Sequence, residues 1–319
     1  MIAAPPSRRS PKPSALLGMM VICALIMAAG CERNPVSTDA EDGWTDRSGP
    51  YVGQTSPEET PLPFLPSIIT EEVHSTAVFS PDGNEVYWTP MEEGLENIRC
   101  MRVENGVWTQ PRELAFGNSH HDGEPCFSPD GGRLYFTSWR APGLDGYIQK
   151  ENLWYADRAA GGWDDPVILP PVINDLILHW SFSIADNGNP YFAAHPMGEG
   201  DTNDIYCAEF EGGAFVRRTK LGDSINTAGS EDTPFVTADE SYLIFARVPD
   251  FSSYADMYIS FREEDGTWGE AVPMAGMNTA GHELGPHLSP DGLYLFFVRM
   301  AAGGPKSYWV SAEIIDEYR

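Results

Sequence analysis

Past its first thirty residues the chain shows no sustained 3.6-residue apolar period; short apolar runs recur instead, each introduced by a polar turn. The clearest turns are Phe79-Ser80-Pro81-Asp82-Gly83, Phe127-Ser128-Pro129-Asp130-Gly131 and Leu288-Ser289-Pro290-Asp291-Gly292. Two degenerate copies, Ser183 to Gly188 and Val236 to Glu240, lie between them. The aligned aspartates Asp82, Asp130, Asp186, Asp239 and Asp291 are spaced by 48, 56, 53 and 52 residues. Pro presets φ, Asp accepts from nearby backbone, and Gly takes the left-handed position, so each copy predicts a tight turn between two strands. Four to six residues after each aspartate stands an uninterrupted apolar trio: Val86-Tyr87-Trp88, Leu134-Tyr135-Phe136, Pro190-Tyr191-Phe192, Leu243-Ile244-Phe245 and Leu295-Phe296-Phe297. A continuous apolar run, unlike an alternating one, predicts a strand buried on both faces.

A third strand follows in each repeat, opening at Asn97, Asn152, Asp204, Asp256 and Ser307. A fourth carries Gly-x-Trp or its equivalent, at Trp108, Trp163, Phe215 and Trp268. Four strands per roughly fifty residues is the period of a propeller blade. The fifth repeat stops at Arg319 before its fourth strand, and Glu59 to Thr70 resembles the other fourth-strand tails. The expected architecture is therefore all-β: a propeller of about five four-stranded blades over residues 59–319, its ring closed by the N-terminal segment so that no sheet edge is left free.

The repeats resemble the WD40-like Pro-Asp repeats of the TolB propeller and of many exported bacterial proteins, and the likeness covers nearly the whole chain after residue 58. It implies the fold; propellers of this kind serve as scaffolds, ligand binders and enzymes alike.

The N-terminus predicts export. Arg8, Arg9 and Lys12 precede the apolar run Ser14 to Gly30, which ends Ala28-Ala29-Gly30-Cys31. A basic start, a short apolar stretch and small residues before the cut make residues 1–30 a cleaved signal peptide. The ending resembles a bacterial lipobox, with Cys31 as the lipidated first residue. Residues 31–58, polar and rich in Pro, Ser and Asp, read as a flexible tether. This places the protein outside the cytoplasm, held to the cell envelope through the lipid alone; Glu32 after the cysteine permits outer-membrane delivery if the cell has two membranes.

Charge narrows the partners. The chain carries −27, and loss of residues 1–30 removes three basic groups and no acid, deepening it to −30. Such a surface repels phosphate backbones and anionic lipid, excluding nucleic acid. Beyond Cys31 the cysteines Cys100, Cys126 and Cys207, odd in number and widely spaced, predict buried thiols in place of a disulfide framework or zinc motif.

Candidate chemistry gathers in the links from each fourth strand to the next first strand, which surface together around a propeller's axis. His74, His120, His121, His179, His282 and His287 lie in or just after them, with Asp122, Glu124, Glu231, Asp232 and Glu283. Eight residues before the turn aspartates stand His74, Asp122, Glu231 and Glu283, with Leu178 beside His179 in the third repeat. One reading is a mouth that binds a divalent cation or hydroxyl-bearing ligand; the other is a clamp repeated with the fold. His195 lies in a loop opening on the same face, and the acidic loop after it lacks the ligand order of an EF-hand. No nucleophile elbow, phosphate loop or His-Glu-x-x-His is present. The expected function is a monomeric, non-catalytic scaffold for an envelope protein or glycan. The alternative is a carbohydrate-active enzyme, either a glycoside hydrolase or a metal-dependent polysaccharide lyase, acting at the mouth; propeller enzymes of both kinds set carboxylates or His-bound metal there.

Overall fold

The computed structural model describes residues 46–319 except 92–95, 115, 117–119, 142–146, 199, 201, 251 and 302; the expected signal peptide and Cys31 lie outside the described residues. Five antiparallel sheets follow one another along the chain. The inner strands are Val78–Phe79, Asp122–Phe127, Ile177–Ile184, Ser230–Val236 and His282–Leu288, in blades 1 to 5. Each pairs with a second strand (Glu85–Trp88, Arg133–Arg140, Pro190–His195, Tyr242–Val248 and Tyr294–Ala301), then a third and a fourth. The apolar trios fall on the second strands and are buried, as a strand sandwiched between neighbouring blades must be.

The ring closes as the repeat pattern predicts. Leu62–Pro63 supplies the outer strand of blade 5, pairing Leu62 with Trp309 and Pro63 with Tyr308. Phe64 then donates its N–H to Ser307 and packs edge-on against Phe79, Phe296 and Trp309, so the first and last blades share one core. The domain starts earlier than residue 59. Residues 46–58, expected as tether, fold onto the seam between blades 5 and 1: Tyr51 is buried against Phe79, Tyr294 and Trp309, and its hydroxyl donates to Asp291. The stretch is polar on average, but one aromatic and Val52 suffice to anchor it.

The turns work as their chemistry requires. In blade 1, Ser80 Oγ donates to Asp82 (2.6 Å), which also accepts the N–H of Asn84, while the N–H of Glu85 donates back to Ser80 Oγ. Ser128 with Asp130, and Ser289 with Asp291, repeat this arrangement. Blade 3 departs from the alignment. Asn187, not Asp186, accepts the N–H two residues on (2.9 Å), because this hairpin is one residue tighter and moves the acceptor along by one.

Candidate functional site

The turns between first and second strands occupy one face of the ring. The links into each inner strand, with the loops between second and third strands, occupy the other, here called the mouth. Midway down, the inner strands of blades 2 to 5 carry a β-bulge. There Glu124, Trp180, Thr233 and Gly285 all take left-handed φ values of 48–59°. Glycine occupies that conformation freely; the three side chains are held in it by the surrounding blades and turn toward the axis. Thr233 Oγ1 accepts the N–H of Gly285 (3.0 Å), and the space a Cβ on Gly285 would fill lies 3.9 Å from Ser181 Oγ. His74 of blade 1 meets the Trp180 ring of blade 3 edge-on at 6.1 Å. Contacts between non-neighbouring blades thus cross the axis, and the mouth is a basin with a floor.

The residues expected at the mouth divide into three groups. Glu231 and Glu283 do not line it; both are fully buried clamps. Glu231 accepts from Thr227 N (3.0 Å), Thr227 Oγ1 (2.6 Å) and Arg247 Nε (2.9 Å), and Arg247 also donates to Ile225 O. Glu283 repeats each bond with Thr279, Arg299 and Met277 O. Asp122 is paired with buried Arg140 in the same role, with His120 buried nearby. Asp232 is buried too, accepting from Asn203 Nδ2 (2.7 Å) and Ser230 Oγ (3.0 Å), while Asn203 Oδ1 meets His195 Nδ1 at 2.7 Å. Burial without a partner costs a carboxylate several kcal/mol, so a repeating carboxylate in this position is matched by a repeating arginine.

His287 lies elsewhere. Five residues past His282 along the inner strand, it sits about 16 Å toward the turn face, beyond the bulge and against Phe235. Burial holds its pKa down at about 4, so it is neutral.

The third group forms the basin. His74 Nδ1 stands 3.3 Å from Glu96 and 3.7 Å from Glu124. Glu151, on the third strand of blade 2, accepts the backbone N–H of Trp180 at 3.0 Å and adds to the same field. Burial works against charge on His74, but the three carboxylates outweigh it and raise its pKa to about 10. Burial also dominates at Glu124; His74 only partly compensates it, while Glu151 and Glu96 reinforce it, and the carboxyl is pushed up to about 7. Around this centre the remaining histidines each meet an aromatic ring: His121 and Trp139 at 4.6 Å, His179 and Trp180 at 4.5 Å, His282 and Tyr254 at 5.1 Å. His121 and His282 also accept backbone N–H groups, from Glu96 and Ala255. Among the described residues no three His, Cys, Asp or Glu side chains are grouped to hold a metal ion.

The sequence reasoning missed Glu96, Glu151, Trp139, Trp180 and Tyr254. The signal was available for Glu96 and Tyr254, because the loop argument that places His195 on this face places theirs as well. Trp180 gains its role only from the bulge, which has no sequence mark of its own.

No family model and no curated protein matches this chain. Solved structures do. A putative TolB from Agrobacterium tumefaciens is similar over 75% of this chain and 77% of its own, at 17% identity and a TM-score of 0.48. TolB from Acinetobacter baumannii is similar over 80% of this chain and 57% of its own, at 14% identity and a TM-score of 0.46. A chain of a nidogen/laminin complex is similar over 66% of this chain and 70% of its own, at 13% identity and a TM-score of 0.45. By its own sheet order the chain is a five-bladed β-propeller.

Proposed function

We propose that this protein is an extracytoplasmic scaffold, anchored through a lipid on Cys31, whose mouth binds an envelope protein or glycan and performs no chemistry on it. The observation that carries this reading is the fate of the mouth carboxylates. Hydrolysis of a glycoside needs two carboxyl groups facing each other across an open cleft. Here Asp122, Glu231 and Glu283 are sealed into arginine pairs, and Glu96 and Glu124 are both held against one imidazole, that of His74. What remains accessible is a rim of rings, with Tyr254 more than half exposed, and that is a surface suited to contact. Among the described residues no helix is long and apolar enough to cross a membrane.

A photo-crosslinking residue at Tyr254, on the mouth, and another at Leu293, on the turn face, test the binding face in intact cells. The expected result is a discrete adduct from Tyr254 and none from Leu293; equal patterns from the two, or none from either, would overturn it. The anchor is tested separately: Cys31→Ser should release the protein from the membrane fraction, and unchanged retention would exclude lipidation there.

A further inference from the structure

We propose that the basin takes an alkylammonium or guanidinium group, the side chain of a lysine or arginine presented by a protein partner. This rests on the mouth being the binding face and goes on to name what it reads.

Three observations point the same way. Glu96, Glu124 and Glu151 come from three separate segments yet face one imidazole, that of His74, so carboxylates outnumber cations in the basin. Arg140, Arg247 and Arg299, on the second strands, are each held by a clamp, and Arg99, three residues past Glu96, pairs with Glu71. Glu124 is only 4% exposed, and the His74 imidazole is 3.7 Å from its carboxylate. A buried carboxylate whose cationic neighbour stands beyond hydrogen-bond distance gains from a donor arriving from outside. Second, the walls are aromatic: Trp180 at the floor, Trp139 and Tyr254 at the rim. Indole and phenol faces beside carboxylates suit a cation on an apolar stem, which the rings hold while the acids meet its head. Third, the whole molecule carries −27, which draws a basic partner in from solution.

The charge state of the basin supports the assignment. The groups facing Glu124 are His74, Glu96 and Glu151, with the Ser181 hydroxyl near it; His121 touches the backbone of Glu96, and His179 the ring of Trp180. With Glu124 held near pH 7, an arriving cation favours its ionised form and displaces its proton. Affinity therefore rises with pH through this range.

The test uses the purified full-length chain and a fluorescent tetralysine peptide, followed by anisotropy, with the Nε-acetylated peptide as its uncharged counterpart. Glu96→Gln and Glu151→Gln keep size and hydrogen bonding while each removes one basin charge; Glu264→Gln removes one from the exposed turn face. The expected result is at least a fivefold loss of affinity in each basin variant and less than twofold for Glu264→Gln. Acetylation should abolish binding, and Glu124→Gln should remove the rise in affinity between about pH 6 and 8. Equal losses from Glu264→Gln and the basin variants would reduce the effect to net charge and overturn the proposal, as would equal binding of the acetylated peptide. If Tyr254 crosslinks a partner while tetralysine ignores the basin, the scaffold reading survives and this assignment falls.

Discussion

At the scale of single residues, a carboxylate near an axis can serve the fold or the ligand, and its neighbour decides which. Glu231 has Arg247 opposite it on the second strand and Thr227 four residues before it, so its charge is spent within one blade. Glu231→Gln leaves Arg247 nearly buried without its partner and should cost about 3 kcal/mol in urea denaturation. The double variant Glu231→Gln, Arg247→Met should recover part of that loss; no recovery would mean the pair contributes through packing alone. His74 and Glu124 instead make stability depend on pH. The folded state keeps a proton on Glu124 that the unfolded chain releases near 4.5, so stability falls as pH rises from about 4.5 to about 7. His74 keeps one that the unfolded chain loses near 6.5, so a second contribution is present below that pH and disappears as pH rises toward about 10. Urea midpoints measured across this range should show Glu124→Gln flattening the lower limb and His74→Gln the upper.

At the scale of the blade, an asparagine in the outgoing link ties the third strand to the end of the fourth. Asn226 accepts the N–H of Ile205 (2.7 Å) and donates to the carbonyls of Ile205 (3.0 Å) and Leu221 (2.8 Å). Asn174 makes the same three bonds in blade 2, and Asn278 makes the pair to Met257 in blade 4. Each closes the ladder of a third strand just where the chain leaves for the next blade. The residue was legible, since Ile225-Asn226-Thr227-Ala228-Gly229 and Met277-Asn278-Thr279-Ala280-Gly281 repeat 52 positions apart. Asn226→Ala strands two backbone groups in the interior and should destabilise by about 2–3 kcal/mol. A change under 0.5 kcal/mol in thermal or chemical unfolding would show that water replaces the amide there.

At the scale of the whole molecule, closure depends on a short segment far in sequence from what it closes. Residues 46–65 seal blade 5 to blade 1 through Tyr51, Val52, Phe64 and the two-residue strand Leu62–Pro63. Tyr51 and Val52 take left-handed backbone angles, φ 51° and 57°, a conformation costly for a β-branched residue and maintained by the packing of Tyr51 between the two blades. Tyr51→Ala should cost about 3–4 kcal/mol from lost burial, and more than Leu62→Ala, whose side chain is 42% exposed. The reverse order in unfolding measurements would locate closure in the outer strand and not in the seam.

The sequence by itself determined the blade number, the strand order, the turn positions and the closing segment, because each is local chemistry repeated at a fixed period. Pro-Asp-Gly makes a turn wherever it stands, and a continuous apolar trio is buried in any sheet stacked on both sides. The mouth was legible only as a region. Whether a carboxylate such as Glu231 or Glu124 was sealed into a clamp depended on whether an arginine stood across the strand, a pairing that spacing does not encode. The floor arose the same way: Trp180 and Glu124 sit at bulges with left-handed backbone, and the His74 cluster exists because blade 1 brings Glu96, and blade 2 brings Glu124 and Glu151, to one imidazole. Tertiary structure decided these because burial, pairing and charge balance are properties of what surrounds a side chain.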